Sequence, residues 1–172
     1  MKILGIDPGK TNMGLCFIDD LKDFKTWKIE IFKNAKKDEK IHQLIQLEIE
    51  LDKVFTQYKP DVIFHEGIAY CASNGVEESG KVEYIIERTS FNHDIPFTKL
   101  ANATIRRFLG ISKGEKTKDL MSLAIYKKFN VELPSQDERD AFAIAKCGEA
   151  IIEKTFELTA PKAAKKPKKE KK

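Results

Sequence analysis

Lys2-Ile3-Leu4-Gly5-Ile6-Asp7-Pro8-Gly9-Lys10-Thr11-Asn12-Met13-Gly14 carries a short apolar run straight into one carboxylate and then into a turn. Ile3 to Ile6 have the length and character of a buried strand, and Pro8-Gly9 stops it. Asp7 is therefore expected at a strand end, held rigidly by the sheet. Gly9 and Gly14 leave room for a phosphate or a metal to approach the backbone, and Leu15-Cys16-Phe17-Ile18 reads as the return strand of a hairpin. An ordinary hairpin with a solvated aspartate in its turn has the same local pattern. The weight given to Asp7 depends on the other acids of the chain.

Outward from this hairpin, Thr26 to Phe32 alternates as a third strand of a meander. Between Asp38 and Tyr58 the period changes: Ile41, Leu44, Ile45, Leu51, Val54, Phe55 and Tyr58 fall at helical intervals and define a face to pack on the sheet. Lys59-Pro60-Asp61 ends that helix. Val62-Ile63-Phe64-His65-Glu66 is a second buried strand ending in a carboxylate, and a helical crossover favours its parallel pairing with the first. Asp7 and Glu66 then share one end of a sheet. His65 points away from Glu66, so it reads as a core or surface histidine rather than a ligand.

Ser73 can cap a helix from about Val76 to Thr89, and Ile95 to Leu100 reads as a fifth strand that Pro96 places at an edge. A short helix, Ala103 to Leu109, leads into a glycine-containing loop, Gly110 to Lys118, with Lys113, Lys116 and Lys118. Such a loop is either solvated surface or a contact for a phosphate backbone. A helix carrying Met121, Leu123, Ala124, Ile125 and Phe129 follows. Ser135 and Glu138 have capping-box spacing and open a last helix. Asp137 and Asp140 share one face of its first turns, and Ala141-Phe142-Ala143-Ile144-Ala145 then packs on the sheet. Each acid also suits the positive end of a helix, so here too the argument rests on the set.

At 172 residues the chain has the size of one ordinary domain with a real core. Its net charge of +4 is uneven: residues 161–172 hold seven lysines against Glu170, a net of +6, leaving −2 on residues 1–160. The expected division is a folded unit over 1–157 and a disordered lysine-rich tail over 158–172, a nucleic-acid arm or a solubilising end. Cys16, Cys71 and Cys147 are odd in number and lack paired spacing, which indicates neither a disulfide framework nor a zinc site and fits a reducing cytosol. The N-terminal apolar run is too short for a signal peptide, and nothing approaches membrane-spanning length. The expectation is a soluble protein of the cytoplasm, or of a host's cytoplasm if phage-encoded.

Strand with acid, meander, helix, strand with acid, helix, strand, helices and a helix with two acids is the order of an α/β ribonuclease H-like fold, a five-stranded mixed sheet with helices on both faces. Over roughly residues 1–155 the layout resembles RuvC-type Holliday junction resolvases. The resemblance rests on Gly5-Ile6-Asp7-Pro8-Gly9 with Gly14, on Glu66 at its strand end, on Gly114-Glu115-Lys116 before a helix, and on Asp137-x-x-Asp140-Ala-Phe-Ala-Ile-Ala. It implies a crossover junction endodeoxyribonuclease that resolves four-way junctions, with other branched DNA as a further substrate class, by paired nicks leaving 5′-phosphate and 3′-hydroxyl ends. Asp7, Glu66, Asp137 and Asp140 would be its catalytic metal ligands, with two Mg²⁺ per site and Mn²⁺ able to substitute. Oxygen-only ligands suit such hard cations better than zinc. Lys113, Lys116 and Lys118 would contact DNA, and the protein would work as a homodimer. The family's junction-inserting aromatic falls at Ala69, with Tyr70 beside it as the candidate DNA contact. That departure and the lysine tail suggest a divergent, phage-type resolvase. The alternatives are a ribonuclease H-like or RuvX-type nuclease acting on RNA, and a non-catalytic nucleic-acid-binding module.

Overall fold

Leu4 and Ile6 face one side of the first strand, while Ile3, Gly5 and Asp7 face the other, and this alternation organises two cores. The computed structural model describes residues 1–9, 11–31, 39–67, 76–112 and 119–158. β1 (Ile3–Asp7) pairs antiparallel with β2 (Asn12–Ile18), and β2 antiparallel with β3 (Phe24–Glu30). After α1 (Lys40–Tyr58), β4 (Val62–Glu66) lies parallel beside β1, and after α2 (Val76–Asn92), β5 (Phe97–Leu100) lies parallel beside β4. The sheet order is β3-β2-β1-β4-β5, followed in the chain by α3 (Asn102–Phe108), α4 (Leu120–Phe129) and α5 (Gln136–Ile152). The mixed five-stranded sheet anticipated above is the one observed, with β5 at an edge.

Element ends shift by a few residues. β3 begins at Phe24 rather than Thr26, and β5 at Phe97 rather than Ile95, because the Ile95 N–H donates to the Ser90 carbonyl at the end of α2. Pro96 still serves the ladder through its carbonyl, which accepts from Ile63 N–H. The readings of Phe32 as a strand end and Ser73 as a cap lie outside the described residues.

One core lies between the sheet and the pair α1 and α2, where Leu4, Ile6, Met13 and Leu15 meet Leu47, Leu51, Phe55, Val82 and Ile86. The packing stripe of α1 differs from the expected one. Ile41 and Ile45 are exposed together with Ile49, because at 3.6 residues per turn they lie about 120° around the helix from the Leu47-Leu51-Phe55 face. The other core lies under α5, whose Ala141, Phe142, Ala143, Ile144 and Ala145 are almost wholly enclosed by the sheet and by side chains of α3 and α4.

Glycine makes this second packing possible. A Cβ on Gly5 would lie 2.5 Å from the Ala141 carbonyl oxygen, and one on Gly14 would lie 2.0 Å from that of Asp137. The start of α5 therefore rests directly on the backbone of β1 and β2. Ser135 Oγ accepts from the Glu138 N–H at 3.3 Å, the first half of the anticipated capping box, while its own hydroxyl donates to the Glu138 carboxylate at 2.6 Å. The Thr26 hydroxyl donates to the same carboxylate at 3.1 Å, tying this helix end to β3.

Candidate active site

Ile6 stands level with His65 in the parallel pair β1 and β4, so the next residues, Asp7 and Glu66, end adjacent strands at the same edge of the sheet. Alternation turns both toward the α5 face. Across the hairpin Asp7 is opposite Gly14, a position without a side chain, and the first turn of α5 fills that space with Asp137. A Cβ on Gly9 would come within 3.9 Å of an Asp137 carboxylate oxygen, so the turn after β1 also lies beside this acid. Asp140 follows on the same helix face. The fold thus gathers at one sheet end four carboxylates that are up to 133 positions apart in the chain.

The electrostatics register this convergence. Burial, then Asp140, Glu66 and Asp137, push the Asp7 carboxyl up to about 8, with no lysine or arginine among the described residues offsetting them. Burial and Glu66 raise Asp140 to about 6, against a hydrogen bond from Gln136 and the nearby Arg139. Burial also raises Glu66, partly countered by Asn102. Confining like charges at a half-buried sheet end is costly unless a cation joins them. The donor set is all oxygen, the chemistry of a hard divalent ion. His65 lies on the opposite face, fully enclosed, and takes no part in the cluster.

Asn102, the first residue of α3, donates from Nδ2 to Glu66 Oε1 at 2.9 Å. No motif marks it, since an asparagine after a strand is ordinary; its one signal is its place just past β5, at the sheet end that carries the acids. Its hydrogen bond fixes the orientation of the Glu66 carboxylate. If Glu66 ligates a metal, as the family resemblance implies, Asn102→Ala should lower the single-turnover cleavage rate about tenfold with junction affinity unchanged, since the carboxylate would lose the partner that orients it. Equal losses of rate and affinity would instead mark Asn102 as a DNA contact. The sequence candidates Tyr70, Lys113, Lys116 and Lys118 lie outside the described residues.

A family model described as crossover junction endodeoxyribonuclease RuvC matches residues 3–148, a span that includes all four acids. The chain belongs to the RuvC family. Among curated relatives, RuvC of Rickettsia bellii (strain OSU 85-389) is 26% identical over 149 residues, covering 84% of this chain and 94% of that one. Among solved structures, Thermus thermophilus RuvC superposes with a TM-score of 0.71 at 16% identity, over 91% of this chain and 98% of that one. The Fowlpox virus resolvase, solved with substrate Holliday junction DNA, superposes with a TM-score of 0.55 at 15% identity, covering 84% of this chain and 95% of that one. The RuvC layout thus extends from β1 into α5, so this chain is a crossover junction endodeoxyribonuclease by family and ribonuclease H-like by fold.

Proposed function

We propose that this RuvC-family protein resolves four-way DNA junctions with Asp7, Glu66, Asp137 and Asp140 as ligands of two Mg²⁺ ions. The observation that carries the reading is the convergence of these acids on one sheet end, inside the span that matches the family. Two divalent ions would balance four ionised carboxylates. When bound, they supply Lewis acidity at the scissile phosphate and a water acidic enough to attack it. The chain's own contribution is placement. β1 and β4 fix Asp7 and Glu66, Asn102 orients Glu66, and the capped, enclosed α5 holds Asp137 and Asp140 at a set distance from both.

The described residues of one chain bring this set of four acids together once, whereas paired nicks need two such sites, so the working form is a homodimer of the 19.7 kDa chain. The exposed stripe Ile41, Ile45 and Ile49 on α1 is apolar surface available for such assembly. The test compares a four-way DNA junction with an RNA–DNA hybrid, with and without Mg²⁺. Paired nicks in the junction, lost on chelation, are expected; preferential cutting of the hybrid would overturn the reading in favour of an RNA-directed nuclease.

Two further predictions rest on sequence. Lys116→Ala should reduce the cleavage rate by more than it reduces affinity, because a charge near the scissile phosphate matters most in the transition state. Equal losses would make Lys116 a general phosphate contact. Deleting everything after Ala160 should weaken binding to junction and plain duplex alike. The salt dependence should flatten by roughly 0.9 of a log–log unit for each lysine in contact, with cleavage at saturating protein retained. Identical slopes for the two lengths would show that the tail does not touch DNA.

A further inference from the structure

On the far face of the sheet from the acid cluster, His65 of β4 meets two glutamates of α2. Glu83 and Glu87 are four apart and share a helix face, and one donor atom from each of the three residues lies within 4.8 Å of the others. His65 is 0% exposed and Glu83 5%. The His65 Nδ1 is 3.3 Å from the Glu66 carbonyl oxygen, which can only accept, so Nδ1 carries the proton. That leaves a lone pair on Nε2. Among the described residues it has no hydrogen-bond partner, and it lies 3.8 Å from a Glu87 carboxylate oxygen, which cannot donate to it while ionised. A neutral imidazole anchored through Nδ1–H to a backbone carbonyl, with Nε2 aimed at carboxylates, is the arrangement of a histidine that ligates a metal.

Lys99 of β5, paired in register with His65, now occupies the position of the missing electrophile. Its Nζ is 3.0 Å from Glu83 Oε1 and 2.5 Å from Glu87 Oε1. One ammonium between two carboxylates leaves one negative charge uncompensated, whereas a divalent ion would neutralise both and also satisfy Nε2. A tetrahedral shell with bonds of about 2.1 Å separates its ligands by about 3.4 Å, so the group must contract by at most about 1.4 Å to hold an ion. The Lys99 side chain is 47% exposed and can swing out to water.

We propose that His65, Glu83 and Glu87 form a second divalent-cation site, separate from the active site, that takes a borderline ion of the zinc type in exchange for the Lys99 ammonium. One imidazole and two carboxylates suit Zn²⁺, with water as the fourth ligand, better than Mg²⁺. An ion there ties α2 to β4 directly behind Glu66.

The test is titration of the intact protein with Zn²⁺ in excess Mg²⁺, which holds the all-oxygen cluster, with calorimetry and ¹⁵N spectra of the histidine rings read together. Zn²⁺ should bind once per chain and move the His65 Nε2 resonance; Lys99→Met should tighten binding about tenfold by removing the competing cation, and Glu87→Gln should weaken it about tenfold. Glu87 lies at the rim, and its amide keeps the side-chain shape. Zn²⁺ binding that leaves His65 Nε2 unmoved, or an affinity indifferent to Lys99→Met, would overturn the proposal and make Lys99 the permanent counter-ion. No Zn²⁺ binding in wild-type protein would do the same.

Discussion

Asp7→Asn should abolish junction cleavage and, in metal-free protein, raise the melting temperature. The loss of cleavage should be a thousandfold or more, on the order of the several kcal/mol of charge stabilisation that bound metal supplies. The gain in stability follows from the crowding of acids. Folded Asp7 titrates at about 8, far above its ordinary value of 3.8, so between these values the folded chain keeps a proton that the unfolded chain has released. Stability therefore falls as pH rises through this window, and above pH 8 the whole penalty of burying the ionised acid is present. An asparagine has no such penalty. The melting temperature of the variant should exceed that of wild type by a margin that grows from pH 5 to pH 8. With on the order of 2 kcal/mol recovered, the margin is several degrees for a domain of this size. Added Mg²⁺ should narrow the gap by stabilising wild type more. Thermal denaturation across this pH range with parallel cleavage assays checks both halves. A variant that melts lower at every pH, or still cuts substantially in Mg²⁺, would remove Asp7 from the cluster.

Gly14→Ala should damage the protein at least as badly by a different route. The added methyl would sit 2.0 Å from the Asp137 carbonyl oxygen and 2.5 Å from its carbonyl carbon, both backbone atoms of a helix packed along its length. Nothing local can yield, so the first turn of α5 must lift from β2 and carry Asp137 and Asp140 with it. We expect a stability loss of about 3 kcal/mol, as for a severe overpacking. If the four acids act together as proposed, cleavage should fall by about a hundredfold even where the variant is folded, since carboxylates displaced by an ångström no longer meet those on the strands. Gly80→Ala is the control. On α2 its Cβ meets nothing within 4 Å among the described residues, and it should gain up to about 1 kcal/mol from helix propensity. Chemical denaturation of both variants measures the contrast, and a harmless Gly14→Ala would show that α5 does not rest on β2 as described.

Both predictions depend on features that differ in how readily they are read from the chain. Asp7 and Glu66 were legible because each ends a short apolar run, and Asp137 and Asp140 because a cap and an alanine-rich stripe place them at the start of a buried helix. Local pattern suffices there, since strand ends and helix faces are set by neighbours in sequence. Asn102 was not legible, because its contact with Glu66 depends on β5 lying next to β4, a long-range pairing. Ile41 and Ile45 misled for a related reason: two apolar stripes run along α1, and only the neighbouring α2 and sheet decide which is covered. The glycine contacts at Gly5 and Gly14 belong to the same class. A glycine before or after a turn looks like a turn residue, and the helix that needs its missing side chain lies more than a hundred positions away. His65 was read as a core or surface residue from alternation alone, which is where the structure places it; the carboxylates it meets come from α2.

The seating of α5 on β1 and β2 also bears on how the protein is made. A chain still being synthesised, and grown only as far as Leu133, already carries every strand of the sheet yet holds two of the four acids. Those two, Asp7 and Glu66, are the pair that a strand-first intermediate would present, and on their own they lack the helix-borne half of the cluster. Closing the site means joining the first strand to the last described helix, one of the longest sequence separations in the molecule and the kind of contact that forms late. A nuclease assembled in this order would stay harmless to nearby DNA until α5 has been made, and fragments truncated before Gln136 should be inert without any separate inhibitor.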